Sequence, residues 1–326
     1  MKKQALTIMT ILLFTLSACA EDENNTEKIH IEELPAQKTM EFSYGNQNFQ
    51  IIPFYEETLD YIEVVEGNTL LNTLGTFNYT VKSPLLEKMS EKKMILKREI
   101  PPNITITHDI QNLKDQTAEL IQHQDATNEL IKESLVKSAD LLEGGDKTIY
   151  VMPVNPDMPT EDMGGLAAWT LDDNVILLAL SSSYNEEMLA YTMAHEYHHA
   201  VTMEGDTAYD SLLDFVVFEG KGDAFAKTLY PETEVAWTKQ LSDEEMEVAF
   251  AQLKESGNTT DFEIYEGWLD GNPEMNIPRW ANYRMGDLIM QDYLKNHGDV
   301  TLEEWAELDA EDILQGGVYK GFLGDS

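Results

Sequence analysis

A helix carrying two histidines four residues apart, followed by a second helix carrying two carboxylates four apart, admits few folds. This chain reads as having both. In the run His195-Glu196-Tyr197-His198-His199, helical periodicity stacks His195 and His199 one turn apart on the same face. Met188, Tyr191, Thr192, His195 and His199 share one broad face at that spacing. Ser183 with Glu186 predicts a capping box at the start, and Gly205 with Asp206 predicts the stop. After a spacer of nineteen residues comes Glu219, and Asp223 lies four beyond it, on a second predicted helix over residues 208–229 that ends before Pro231.

Two imidazoles and one carboxylate are the donor set of a catalytic zinc, which takes three protein ligands and keeps a fourth position for water. His195, His199 and Glu219 are the expected ligands. Asp223, one turn after Glu219, is placed to take the other ring N–H of a ligating histidine and fix its tautomer. Glu196 follows His195 directly, so its side chain leans toward the open metal position and is expected to act as general base, not as ligand. Ligation by His198 in place of His199 breaks the four-residue spacing, so His198 is expected to line the cleft or contact a substrate.

His195-Glu196-x-x-His199, the spacer and Glu219-x-x-x-Asp223 resemble the motif of the thermolysin-like gluzincin metallopeptidases. Residues 147–294 as a whole are similar to a bacterial family of predicted zinc-dependent proteases, a YjaZ-like domain of unknown function. The resemblance implies an α+β, mostly helical gluzincin-type fold with a small mixed sheet next to the HExxH helix, one catalytic Zn2+, and a peptide or protein substrate. It also implies an oxyanion donor downstream of the third ligand. In Tyr283-Arg284-Met285-Gly286 the first candidate is Tyr283 and the second Arg284, although Asp287 stands where an aromatic residue is expected. A strand just before the zinc helix is implied to take an extended peptide at the sheet edge. Residues 164–169 and 175–180 both qualify.

The ends and the composition add a location. Lys2 and Lys3 precede an apolar run and small residues, so residues 1–18 read as a secretory signal, too short for a lasting membrane span. Leu16-Ser17-Ala18-Cys19 resembles the bacterial lipobox, which implies cleavage before Cys19 and acylation of its thiol; Ala18-Cys19-Ala20 also fits an ordinary signal cut. Cys19 is the chain's one cysteine, so no internal disulfide forms. Residues 19–28 then read as a lipidated cysteine and polar tether, holding the protein outside the cell on its membrane. A net charge of −38 excludes nucleic acid as a partner and suits solubility in a saline exterior; no loop has EF-hand spacing.

Residues 29–145 read as a mixed segment preceding a metallopeptidase domain over 146–326. The segment holds a hairpin around Gly45-Asn46, helices over residues 56–72 and 83–98, and one long helix or a kinked pair over 109–142. Beyond Glu219, capping boxes at Ser242/Glu245 and Thr301/Glu304 open helices, residues 256–273 read as a connector, and another helix covers 280–296. His30, His108, His123 and His297 lack partners at ligand spacing. The competing functional reading is a lipid-anchored binding or sensing module that keeps the zinc pocket without turnover.

Overall fold

The computed structural model describes residues 34–92, 94, 96–205 and 209–321. The signal, Cys19 and the tether expected over residues 1–28 lie outside these. The chain opens with β1 (Met40–Tyr44) and β2 (Gln47–Pro53), a hairpin whose Gly45 takes the left-handed turn conformation that glycine tolerates without strain. Helices α1 (Glu56–Gly67), α2 (Leu74–Phe77) and α3 (Ser83–Glu91) follow, then the unbroken α4 (Ile110–Leu141), capped by the Asp109 carboxylate at the Asn112 N–H. Next come β3 (Lys147–Pro153), β4 (Leu166–Asp172), β5 (Val175–Leu180), α5 (Glu186–Thr202) and α6 (Leu212–Leu229). The chain closes with α7 (Asp243–Ser256), α8 (Phe262–Asp270), α9 (Ala281–Asn296), α10 (Leu302–Glu307) and α11 (Ala310–Gly316). The fold is α+β and mostly helical, as expected.

The five strands form one mixed sheet in the order β1-β2-β3-β5-β4. β2, β3 and β5 run parallel, and the two edges, β1 and β4, are antiparallel to their neighbours. Strands from both sides of residue 145 thus share the sheet, through β2 against β3. Alternation sends Ile149, Val151, Ile176, Leu178 and Leu180 to the face covered by α4 and α5. Tyr150, Met152, Val175, Leu177 and Ala179 go to the opposite face, under α1 and α3. With both faces covered, β5 is buried at every residue, which is why its sequence is a continuous apolar run.

Several boundaries differ from expectation: α1 ends at Gly67 instead of running to residue 72, and the connector expected over residues 256–273 contains α8. α5 is capped by Asn185, whose side chain accepts the Met188 N–H at 2.9 Å, while Ser183 interacts with the Ser181 hydroxyl. α6 starts at Leu212 behind the Ser211 cap. α3 stops at Glu91 instead of reaching Arg98, and the backbone N–H groups of Lys97 and Arg98 turn to Leu171 on β4.

The face under α1 and α3 also carries a pH signature. Burial raises the phenols of Tyr61 and Tyr150, each to about 12. A folded-state value above the unfolded value of about 10 means the folded chain keeps protons that the unfolded chain has lost. That contribution is fully present below pH ~10 and declines as the pH rises toward ~12. Denaturation midpoints measured between about pH 9 and about pH 11 therefore fall, and flat midpoints would put both phenols in water.

Candidate metal centre

α5 packs against β4 on one side and α6 on the other, and its residues from Met188 to Ala200 are all buried. The imidazoles of His195 and His199 point from it at α6, where Glu219 meets them. Each Nε2 lies 3.2 Å from the same Glu219 oxygen, Oε2. For a tetrahedral zinc with arms of ~2.0 Å, neighbouring ligand atoms sit ~3.3 Å apart, which the two nitrogen–oxygen separations match, and all three atoms lie within 4.8 Å of one another. The group is buried throughout, and its atoms are those of a site that could hold a metal ion.

Two features of α6 build this arrangement. A Cβ at Gly222 would stand 2.7 Å from His195 Cε1 and 2.8 Å from His199 Cε1, so only glycine lets α6 lie flat against both rings. One residue on, the Asp223 carboxylate accepts the Tyr191 hydroxyl at 2.9 Å and the Trp237 indole N–H at 3.1 Å. The same oxygen sits 3.3 Å from His195 Nδ1, a charge contact that favours a proton on that nitrogen, although the two atoms are not aligned as a hydrogen bond.

The electrostatics agree with a cation site. Burial alone would lower the His195 imidazole, but Asp223 raises it well above its ordinary value. His199 is lowered by burial. Burial would raise the Glu219 carboxyl, yet hydrogen bonds from the two imidazoles hold it well below the usual carboxylate range. Among the described residues no lysine or arginine pairs with Glu219 or Asp223. Buried carboxylates left without a cation cost several kcal/mol each, on the order that a divalent ion in their midst offsets.

Glu196 lies beside the group without joining it. The Thr170 hydroxyl, on the α5 face of β4, donates to Glu196 Oε2 at 2.7 Å and lies 2.9 Å from the Glu196 carbonyl. Tyr283 arrives from α9, its ring centroid 6.0 Å from that of His195. Burial first, and then the charges of Glu219, Glu196 and Asp223, push its phenol well above its ordinary value. It gets there because α9 crosses α6 backbone to backbone at two glycines. A Cβ on Gly286 would meet the Val216 carbonyl oxygen at 2.2 Å, and one on Gly220 would meet the Gly286 carbonyl at 2.3 Å. Asp287, at the position where an aromatic is expected, ties the same two helices by an ion pair to Lys227 at 2.6 Å.

Arg284, the second candidate, makes no ion pair among the described residues, and its Nε is buried without a hydrogen-bond partner there. His198 does not line the cleft as expected. It is fully buried, its ring 5.5 Å from Phe225 and 5.7 Å from Trp305, and burial pushes it well below its ordinary value.

The family model described as Predicted Zn-dependent protease (DUF2268) matches residues 127–315, more than half of the chain. The chain belongs to this family. No curated protein and no solved structure matches it. The span that matches the DUF2268 family contains the whole metal group, together with Glu196, Asp223 and Tyr283. It also contains two residues that the motif alone does not reveal, Thr170 and Gly222. Thr170 has no local signal, since its partner is 26 residues away in the chain. Gly222 has one: a glycine inside a helix is unfavourable by about 1 kcal/mol against alanine, so its presence there marks a close approach.

Proposed function

We propose that this chain is a zinc metallopeptidase anchored at the outer face of a bacterial cell membrane, with His195, His199 and Glu219 as the ligands of one zinc ion. The observation that carries the reading is a carboxylate, Glu196, held by Thr170 beside a buried nitrogen-nitrogen-oxygen donor set. When bound, zinc supplies a Lewis acid that makes water nucleophilic near neutral pH. Glu196 is placed to accept a proton from the attacking water and to deliver it to the departing amine. Thr170 occupies Oε2 and leaves the other carboxylate oxygen for the proton. Tyr283 donates its hydroxyl to the oxyanion of the attacked carbonyl, and Asp223 holds His195 in the required tautomer. β4, the outermost strand on the α5 side, takes the peptide as an added strand, so affinity comes mainly from main-chain hydrogen bonds. Anchoring rests on the Leu16-Ser17-Ala18-Cys19 run: acyl chains on Cys19 hold the protein at the membrane.

A chelator that strips the metal abolishes cleavage of a peptide mixture by the purified chain, and a stoichiometric addition of zinc restores it. Cleavage indifferent to the chelator would overturn the reading. Thr170→Val tests the base separately. One hydrogen bond to a charged group is worth about 1.5–3 kcal/mol, so kcat falls ~10-fold or more with metal content unchanged. A kcat equal to that of the parent would mean that Glu196 is positioned without the strand.

A further inference from the structure

We propose that Arg98 is the anion-recognising residue of this site, holding a carboxylate of the bound peptide close to the metal group. The proposal rests on the peptidase reading above and deepens it, because it names acidic peptides as the substrate class.

Arg98 reaches the site by the route that shortens α3. Its backbone N–H and that of Lys97 both donate to the Leu171 carbonyl, at 3.0 and 3.1 Å, one residue beyond Thr170 on the edge strand. The segment is thereby fixed at the end of the strand that faces Glu196. From there the guanidinium carbon lies 4.7 Å from the centroid of the Tyr209 ring and 5.1 Å from that of Phe218. Phe218 itself stacks on His199, ring centroids 3.9 Å apart. A permanent positive charge therefore sits one aromatic ring away from a metal ligand, braced by cation–π contacts.

One of the guanidinium nitrogens of Arg98 lacks an acceptor among the described residues. That atom, Nη2, is buried, and no carboxylate among those residues pairs with Arg98. The chain has 60 acidic side chains against 22 basic ones, so the missing partner is not for want of carboxylates. A buried donor left unpaired costs free energy comparable to a lost hydrogen bond, and aromatic faces do not supply the lone pairs a guanidinium fork fits. A carboxylate does, in bidentate fashion. A peptide laid along β4 advances ~3.3 Å per residue, so a side chain one or two residues from the scissile bond, or a chain end at that distance, brings a carboxylate within reach. The acidic exterior repels anionic peptides at long range; Arg98 acts only on contact, where it selects rather than recruits. It also lies ahead of residue 127, where the match to the family begins.

The test uses the full chain carrying Glu196→Gln, loaded with zinc, so that binding is read without turnover. Fluorescence anisotropy compares two matched peptide pools that differ only in Glu against Gln, and a second pair that differs only in a free or an amidated C-terminus. One of the two pairs shows ~10-fold tighter binding of the acid form, and which pair it is tells whether the carboxylate belongs to a side chain or a chain end. Adding Arg98→Gln brings that ratio to about one and leaves the affinity for the neutral pool in place. Arg98→Met, which keeps an apolar stem between the two rings, gives the same result should the Gln variant not fold. Ratios near one in the parent, a ratio unchanged by either substitution, or two variants that both fail to fold overturn the proposal. Because the readout is binding, failure of the parent enzyme to cleave any peptide would sink the peptidase reading without disturbing this measurement.

Discussion

The Glu196→Gln chain keeps the zinc content of the parent and hydrolyses peptides ~10²–10⁴-fold more slowly, the usual worth of a general base. The substitution is isosteric, and the amide carbonyl oxygen can still accept the Thr170 hydroxyl, so the fold around α5 and β4 is retained. Glu196 is not one of the three side chains grouped as metal ligands, so nothing in the binding of the ion changes. What is lost is the ability to take a proton. The measurement pairs metal analysis with initial rates on a peptide mixture. Metal present in both chains with equal cleavage would remove Glu196 from the chemistry. Metal present in both with no cleavage in either would return the tethered binding module as the better reading.

Gly222→Ala has the second large effect, and its sign opposes what helix propensity alone predicts. In an exposed helix interior, alanine for glycine stabilises by about 1 kcal/mol. Here the added methyl would stand 2.7 Å from His195 Cε1, 2.8 Å from His199 Cε1 and 2.9 Å from His195 Nδ1. Both rings are packed, so they leave the geometry that aims each Nε2 at Glu219, and Asp223 loses its hold on His195. Disturbing the supports of metal ligands typically costs 10–100-fold in affinity, and moving two ligands at once brings the loss to ~100-fold or more. Competition for zinc against a chromophoric chelator reads this directly. An affinity unchanged by the methyl would mean that α6 can back away from α5 at no cost.

Both helices of the centre were legible in the sequence because everything that defines them is local. Periodicity, a capping residue and the four-residue interval all act within about one turn. The same holds for the capping boxes at Ser242 and Thr301, both of which form. Local rules also account for the near misses. Ser183 and Asn185 are both good caps two residues apart, and the sequence does not say which will turn its side chain onto the helix. α8 hides because Gly257, Asn258, Gly271 and Pro273 crowd the flanks of a helix only nine residues long, so turn signals dominate the window. The free arm of the β4–β5 hairpin is not readable from either arm. It is decided by β3, which pairs with β5 from residue 148 onward and leaves β4 outermost. Thr170, Arg98 and the crossing of Gly220 with Gly286 belong to the same class. Each acquires its role from a segment distant in the chain, and only the interior glycines announce that something must come near.

The parallel pairing of β2 with β3 bears on how this protein can be cut. A fragment trimmed to begin at residue 127 would slice α4 partway along its 32 residues and strip β3 of its neighbour. The inner strand, buried at every residue and largely apolar from Ile149 onward, would become a bare border, the kind of surface on which chains stick to one another. The limits of the recognisable sequence are therefore not seams in the molecule, and the smallest piece that stays soluble has to bring the opening hairpin with it.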